Sequence, residues 1–318
     1  MKILYFSRDY TTHDHRFLSA LAGTGHRVYY LQLERRGHPL EDRPLPPEIR
    51  KVPWAGGQRP FHPQGGVRLL VDLRRVIRKV NPDLVHAGPL QTCGLLAALT
   101  GFHPLVSMSW GYDLLIDADR NPFYHWATRF TLSRSDVMVG DCSTIRRRAA
   151  SFGMPEDRIV TFPWGIDLDH FMPEYRQRAG DGGPREVSSS GSGETFTILS
   201  TRGWEPIYGV DVIARAFVIA AQEAQVRGLP KLRLLMLGSG SQGDLLRQVF
   251  VQGNVLDQVS FPGQVGYDDL PGYYRSADLY LSASHSDGTS ISLLEAMACG
   301  VPALVSDIPG NREWVACG

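Results

Sequence analysis

Four cysteines are scattered singly through 318 residues, at positions 93, 142, 299 and 317, and no two form a C-x-x-C pair. That spacing argues against a zinc site and fits reduced, structural thiols in a cytoplasmic protein. Long apolar runs are also missing; none approaches the roughly 20 residues that cross a bilayer. The N-terminal MKILYF is too short for a signal peptide core and has no small-residue cleavage site behind it, so it reads as a strand. No internal repeat at a solenoid period is present. Net charge is absent as well, with 33 Lys+Arg against 33 Asp+Glu. The balance conceals an asymmetry: residues 1–180 carry 24 cations and 18 acids, residues 181–318 carry 9 and 15. A basic first half points to an anionic partner such as a phospholipid surface, or to a solvated face with none.

What is present is the composition of a soluble globular chain, 43% apolar and 21% charged, long enough for two cores. Strand, helix and strand alternate from the start: Lys2 to Phe6, His15 to Ala22, Val28 to Leu33. Such a βαβ unit implies a parallel sheet. The polar loop SRDYTTHDHR lies at the carboxyl end of the first strand, where open α/β sheets bind ligands, yet it lacks G-x-G-x-x-G. Gly37 to Gly66 reads as an irregular excursion. Alternation resumes with a basic helix at Val67 to Lys79 and continues through strands at Leu84, Leu105, Val137 and Arg158. Gly180 to Glu194 is a low-complexity insert. The pattern then restarts at Phe196 to Ser200. The expected domains are 1–173, a linker at 174–195, and 196–318. Two doubly wound domains would face one another across a cleft.

The most informative stretch is Ser282 to Glu313. A polar turn, Asp287-Gly288-Thr289-Ser290, precedes an apolar helix from Ile291 to Cys299. Leu294, Met297 and Ala298 are able to share one face of it. Gly300 suits a left-handed cap, Pro302 ends the helix, and Ala303 to Val305 reads as a buried strand. Free N–H groups at the helix start make an anion site, flanked by Asp287 and Glu295. Alternatively the turn is only a cap, with Ser292 and Glu295 as a capping box. Arg202, following the strand at 196–200, is placed to clamp a phosphate or to make an inter-strand ion pair. GSGSQG at Gly238 to Gly243 imitates a dinucleotide fingerprint. The next strand ends in Phe261-Pro262-Gly263 with no acid for a ribose, so a tight backbone turn near another ligand is expected instead. The pairs Asp117/Asp119 and Asp167/Asp169 lack supporting metal ligands and read as loop acids and caps, and His86 reads as a packed core histidine.

SHSDGTSISLLEAMACGVPALVSDIPGNREWV, with LAGTGHRV, DLVHA, FPWGIDLDHF, the GSG turn and FPGQV, resembles the retaining glycosyltransferases of family 4. The resemblance implies a GT-B fold of two Rossmann-like domains, here with the second apparently truncated. It implies a metal-independent transferase using a nucleotide-diphosphate sugar as substrate, with no cofactor and no nucleic acid. The acceptor would be a glycan or lipid-linked molecule, in surface polysaccharide or glycolipid synthesis, with peripheral membrane contact through the basic half. By resemblance Asp287 holds sugar hydroxyls, Glu295 the ribose, and the backbone of Gly288, Thr289, Ser290 and Ile291 the diphosphate. Arg202 meets phosphate, Gly238 and Val265 lie toward the donor, and Asp113 in SWGYD is nearest the anomeric carbon. The chain departs from the family at Asp287, where Glu is usual, and at Tyr208, where Lys is frequent. The alternatives are a degenerate sugar-nucleotide-binding module and another GT-B enzyme such as an epimerase.

Overall fold

The computed structural model describes residues 1–34, 41–58, 65–173 and 195–315. The insert at Gly180 to Glu194 and, within the excursion after Gly37, residues 37–40 and 59–64 lie outside the described residues. Contacts divide the chain into two units. The first holds Met1–Trp164 together with Ser286–Thr289 and the segment from Pro309; the second holds Gly165–His285 and Ser290–Ile308.

In the first unit seven parallel strands run in the order β3-β2-β1-β4-β5-β6-β7. They are β1 Lys2–Ser7, β2 Arg27–Gln32, β3 Arg50–Lys51, β4 Leu84–Ala87, β5 Leu105–Met108, β6 Val137–Gly140 and β7 Ile159–Thr161. Helices α1 Thr12–Ala22, α2 Gly66–Val80, α3 Leu95–Thr100, α4 Tyr112–Leu115, α5 Pro122–Arg134 and α6 Ser143–Ser151 connect them. β1 is apolar from Ile3 to Phe6 because both of its faces are covered, as parallel central strands require. Leu4 and Phe6 pack with Leu73, Ile77 and Leu96 from the helices. α1 begins three residues earlier than its apolar spacing indicates. Thr11 and Asp14 form a capping box there, which fixes the first turn. α2 shows the reverse logic: Leu73, Val76, Ile77 and Val80 line one buried stripe, and the cations fill the other side.

The second unit is a five-stranded parallel sheet in the order β10-β9-β8-β11-β12. Its strands are β8 Phe196–Ser200, β9 Leu232–Leu237, β10 Val259–Gly263, β11 Leu279–Ser282 and β12 Ala303–Val305, with α7 Val210–Val226, α8 Gly243–Gln252, α9 Leu270–Ser276 and α10 Ile291–Ala298. Phe217 and Phe250 meet edge to face at 6.2 Å in its core. Each contributes roughly 1.5–3 kcal/mol by burial.

Three expectations are corrected here. β12 is not a buried strand: it lies at the edge of the sheet, and Leu304 is 58% exposed. Met297 does not share the buried face of α10 but is 43% exposed; Leu293, Leu294 and Ala296 fill that role. No Ser292–Glu295 capping box forms. The cap position is Ser290, without a side-chain cap bond, and both of the other residues point into the core instead.

Candidate active site

In a doubly wound sheet the ligand crevice opens where strand order reverses, outside the carboxyl ends of the two central strands. In the second unit that point lies between β8 and β11. Arg202 follows β8, and the polar turn with α10 follows β11. The Arg202 guanidinium donates to Ser290 Oγ at 3.3 Å and to Ser292 Oγ at 3.1 Å. Its plane lies over the Tyr208 ring, 4.2 Å from the centroid. Stacking of this kind fixes the plane of the guanidinium and so the direction of its edge donors. Tyr208 stands where a second cation was expected by resemblance and serves to hold the first one.

α10 is apolar, yet its interior side carries two polar residues. Ser292 Oγ accepts from Tyr280 Oη at 2.7 Å, and Glu295 accepts from Tyr274 Oη at 3.0 Å. Tyr274 also reaches Thr201 Oγ1, 3.2 Å away. Burial and the neighbouring Glu295 charge push the Tyr274 phenol far up, so it stays a donor toward that carboxylate. Ser290, Ile291 and Glu295 are thus gathered on one short helix opposite Arg202. Thr201, Tyr274 and Tyr280 complete the arrangement and were not picked out from the sequence, and Ser292 was singled out there only as half of a capping box. The one available signal was a hydroxyl-bearing residue inside an otherwise apolar strand or helix.

The Gly-rich turn after β9 is used for close packing. Gly238 adopts φ +88° and donates its N–H to Gly263 O at 2.7 Å. A Cβ on Gly240 would sit 2.6 Å from the Trp204 carbonyl carbon. Gly238 is thereby tied to the segment after β10 that contains Val265.

In the first unit, Asp113 opens α4 at the carboxyl end of β5 and is buried. Its carboxylate accepts from Ser109 Oγ at 2.7 Å, Trp110 N at 2.9 Å and Leu90 N at 2.9 Å. Burial raises its pKa to about 6 in spite of these bonds. Within the same unit, Asp141 at the end of β6 accepts from Thr289 N at 2.7 Å, while Thr289 Oγ1 donates to the Asp141 carbonyl at 2.9 Å. A Cβ on Gly288 would lie 2.7 Å from Asp141 Oδ1, which explains glycine there. Burial, with repulsion from Asp287 added, raises the Asp141 pKa. Glu313 accepts from Ser143 N and Thr144 N, both at 3.0 Å, and so caps α6. Burial opposes its ionisation, but those donors outweigh it and the pKa falls. Asp141 and Glu313 had no place in the sequence reading, because their partners are roughly 150–170 positions away.

The aspartate pairs have local partners. Asp119 pairs with Arg148, Asp117 lies 3.8 Å from Arg120, and Asp167 accepts from Asp169 N and His170 N. Among the described residues no cluster of three or more His, Cys, Asp or Glu is placed to hold a metal ion. His86 packs edge-on against Tyr5 at 5.2 Å, and burial lowers its pKa to about 4.

Comparison with known proteins adds a family. The model for Glycosyltransferase Family 4 matches residues 11–170, and that for Glycosyl transferases group 1 matches residues 186–318. A GDP-mannose-dependent α-(1-6)-phosphatidylinositol monomannoside mannosyltransferase of Mycolicibacterium smegmatis is 26% identical over 239 residues, 73% of this chain and 59% of that protein. A D-inositol 3-phosphate glycosyltransferase of Pseudarthrobacter chlorophenolicus is 31% identical over 184 residues, 57% of this chain and 42% of that protein. The chain therefore spans about three-fifths or less of the length of these curated relatives. Among solved structures, Anabaena Alr3699/HepE in complex with UDP and glucose gives a TM-score of 0.74 at 17% identity, covering all of this chain and 84% of that one. Sucrose-phosphate synthase from Thermosynechococcus elongatus gives 0.72 at 16%, covering 98% and 83%. These likenesses establish the GT-B class of fold, two parallel-sheet α/β domains.

Proposed function

The chain belongs to glycosyltransferase family 4, and from that membership we propose that it transfers a sugar, with retention and without a metal ion, from a nucleoside-diphosphate donor to a glycan or lipid-linked acceptor. The observation that carries the reading is the convergence of Arg202 with Ser290 and Ser292 at the switch point of the second sheet. Cleaving a sugar–phosphate bond builds negative charge on the leaving diphosphate. A guanidinium and a helix N-terminus already aimed at one point stabilise that charge without reorganising.

In this reading the N–H groups of Ser290 and Ile291 and the Arg202 fork take the diphosphate. Gly288 and Thr289 shape the turn before them; the Thr289 N–H is engaged by Asp141 and so contributes by position. Glu295, oriented by Tyr274, takes the ribose hydroxyls, since a carboxylate accepts two hydrogen bonds at once. Asp287 takes sugar hydroxyls, Gly238 and Val265 border the base, and Asp113 holds the loop nearest the acceptor. Of the relatives named above, the mannosyltransferase uses GDP-mannose on a phosphatidylinositol monomannoside, which supports a lipid-linked acceptor, and the other is named for D-inositol 3-phosphate. Peripheral membrane contact through the basic first half belongs to the same proposal.

The test is release of nucleoside diphosphate from a panel of nucleotide sugars with candidate acceptors. Arg202→Ala and Glu295→Gln are expected to abolish donor binding and turnover. Turnover unaffected by both changes would remove the reading. Tight donor binding without product over long incubation would select a binding module instead.

A further inference from the structure

Three hydroxyls are linked in a chain beside Arg202, those of Tyr280, Ser292 and Ser290. Tyr280 lies in β11 and is fully buried; Ser290 caps α10, Ser292 is in its first turn, and both are buried as well. Residues two apart diverge within a helix. Ser290 is still extended, with φ −70° and ψ 105°, and its Oγ comes within 3.3 Å of Ser292 Oγ.

A hydroxyl has one proton to give and two lone pairs to fill, and a guanidinium only donates. Burial raises the Tyr280 pKa, so the phenol keeps its proton and donates it to Ser292 Oγ at 2.7 Å. Arg202 Nη1 gives one hydrogen to Ser292 Oγ at 3.1 Å and one to Ser290 Oγ at 3.3 Å. Both lone pairs of Ser292 are then taken, by Tyr280 and by Arg202. Its own proton goes to the acceptor in reach, Ser290 Oγ. That bond fills the second lone pair of Ser290. The Ser290 proton is therefore left to be given away, and no acceptor for it stands among the described residues.

The cap of α10 shows the consequence. A serine oxygen at this position ordinarily accepts an N–H of the first turn. Ser290 makes no such bond, since its lone pairs are occupied. The start of α10 thus presents donors: a hydroxyl and the backbone N–H groups that the cap does not meet.

We propose that Tyr280 is a positioning residue for the diphosphate of the sugar donor: through Ser292 it locks the Ser290 hydroxyl as a hydrogen-bond donor to a phosphate oxygen. A serine free to turn would also present a lone pair to that oxygen and repel it. This role rests on the diphosphate reading above and adds to it the Ser290 hydroxyl, which that reading leaves unused.

GDP and UDP are titrated into the full chain by calorimetry, and the tighter of the two is carried through the variants. Ser290→Ala should weaken it about tenfold, as expected for one hydrogen bond to a charged group. Tyr280→Phe removes only the far end of the chain and should weaken it about fivefold or more. Ser292→Cys, whose thiol is a weak donor and acceptor, breaks the middle link and should do the same. A tyrosine that merely supported the fold would add its loss to that of Ser290→Ala. Here the double variant Tyr280→Phe/Ser290→Ala should bind within about twofold of Ser290→Ala, because both changes remove one contact. If Tyr280→Phe does not fold, Ser292→Cys gives the same cycle. Tyr280→Phe binding as well as the wild type overturns the proposal, as does a double variant that loses the product of the single factors. If the wild type binds neither nucleotide, the diphosphate reading fails first and takes this role with it.

Discussion

Gly209 is the position where a single methyl group should separate backbone strain from steric conflict. It starts α7 with φ +59°, and a Cβ there would strike the carbonyl oxygen of Ala283 and lie 2.9 Å from its carbonyl carbon. Ala283 directly follows β11, and the neighbouring His285 N–H donates to Ile207 O at 2.9 Å. The contact therefore joins the Arg202–Tyr208 loop to the turn that leads into α10. Gly209→Ala incurs about 1–2 kcal/mol for the left-handed conformation and about 1–3 kcal/mol for overpacking against backbone that has no side chain to move. Lower entropy of the unfolded chain returns about 0.4–1 kcal/mol. The expected loss is about 2–4 kcal/mol. Gly228→Ala is the matched control: φ is +65°, and no atom lies within 4 Å of the added carbon. It should cost about 1 kcal/mol or less. Gly272→Ala, inside α9 with open space and no positive φ, should be neutral or stabilising by up to about 1 kcal/mol. Amide exchange in α7 under increasing urea reads the second unit without interference from the first. Donor binding should weaken in Gly209→Ala and not in Gly228→Ala. If Gly209→Ala is no less stable than Gly228→Ala, the packing argument at the switch point is wrong.

Burial lowers the His86 pKa from 6.5 to about 4, and its Nε2 has no hydrogen-bond partner among the described residues. The unfolded chain takes up that proton first, so its contribution is whole above about pH 6.5 and is lost as pH falls toward about 4, about 3 kcal/mol in all. Asp14 and Asp113, both raised to about 6, act oppositely: their contribution is full below about pH 4 and shrinks as pH rises through about 6. His86→Phe should accordingly be more stable than wild type at pH 4 but not at pH 7.5, by urea titration; an unchanged difference would show that the ring is solvated. Asp141→Ala leaves the buried Thr289 N–H without its acceptor and should cost about 1–3 kcal/mol, whereas Asp141→Asn, which keeps an acceptor, should cost less in the same titration. Tyr274→Phe removes the donor to Glu295 and is expected to raise the donor Kd about 5- to 10-fold, by calorimetry, with turnover of bound donor retained.

The legible parts of this chain were those fixed by neighbours in sequence. β8, β9 and β11 fall where alternating Gly, Pro and apolar runs put them, because short apolar segments bounded by breakers have few other solutions. α10 was located correctly, but its orientation was not. Periodicity allowed Met297 onto the buried face, while packing of Ser292 and Glu295 against Tyr280 and Tyr274 rotated the helix otherwise. α4 was missed altogether. Four residues carry too little periodicity, and its start depends on Gly111 at φ +88° and on Asp113 bonding to Ser109 and Trp110. The edge position of β12 was likewise invisible, since an apolar triplet looks the same at an edge as at a centre.

By itself the sequence determined the class of fold and the family, and it supplied the candidate residues for the proposed anion and polyol contacts, because these rest on local spacing: a turn before a helix, an Arg after a strand. Only the tertiary structure decided which of those residues meet. Strand order put Arg202 opposite Ser290 and Ser292, and Tyr208 beneath its guanidinium. The return of Ser286–Thr289 and of the segment from Pro309 to the first unit gave Asp141 and Glu313 their partners and engaged the Thr289 N–H. Contacts between residues a hundred or more positions apart follow from how strands are ordered in a sheet, and no local pattern encodes that order.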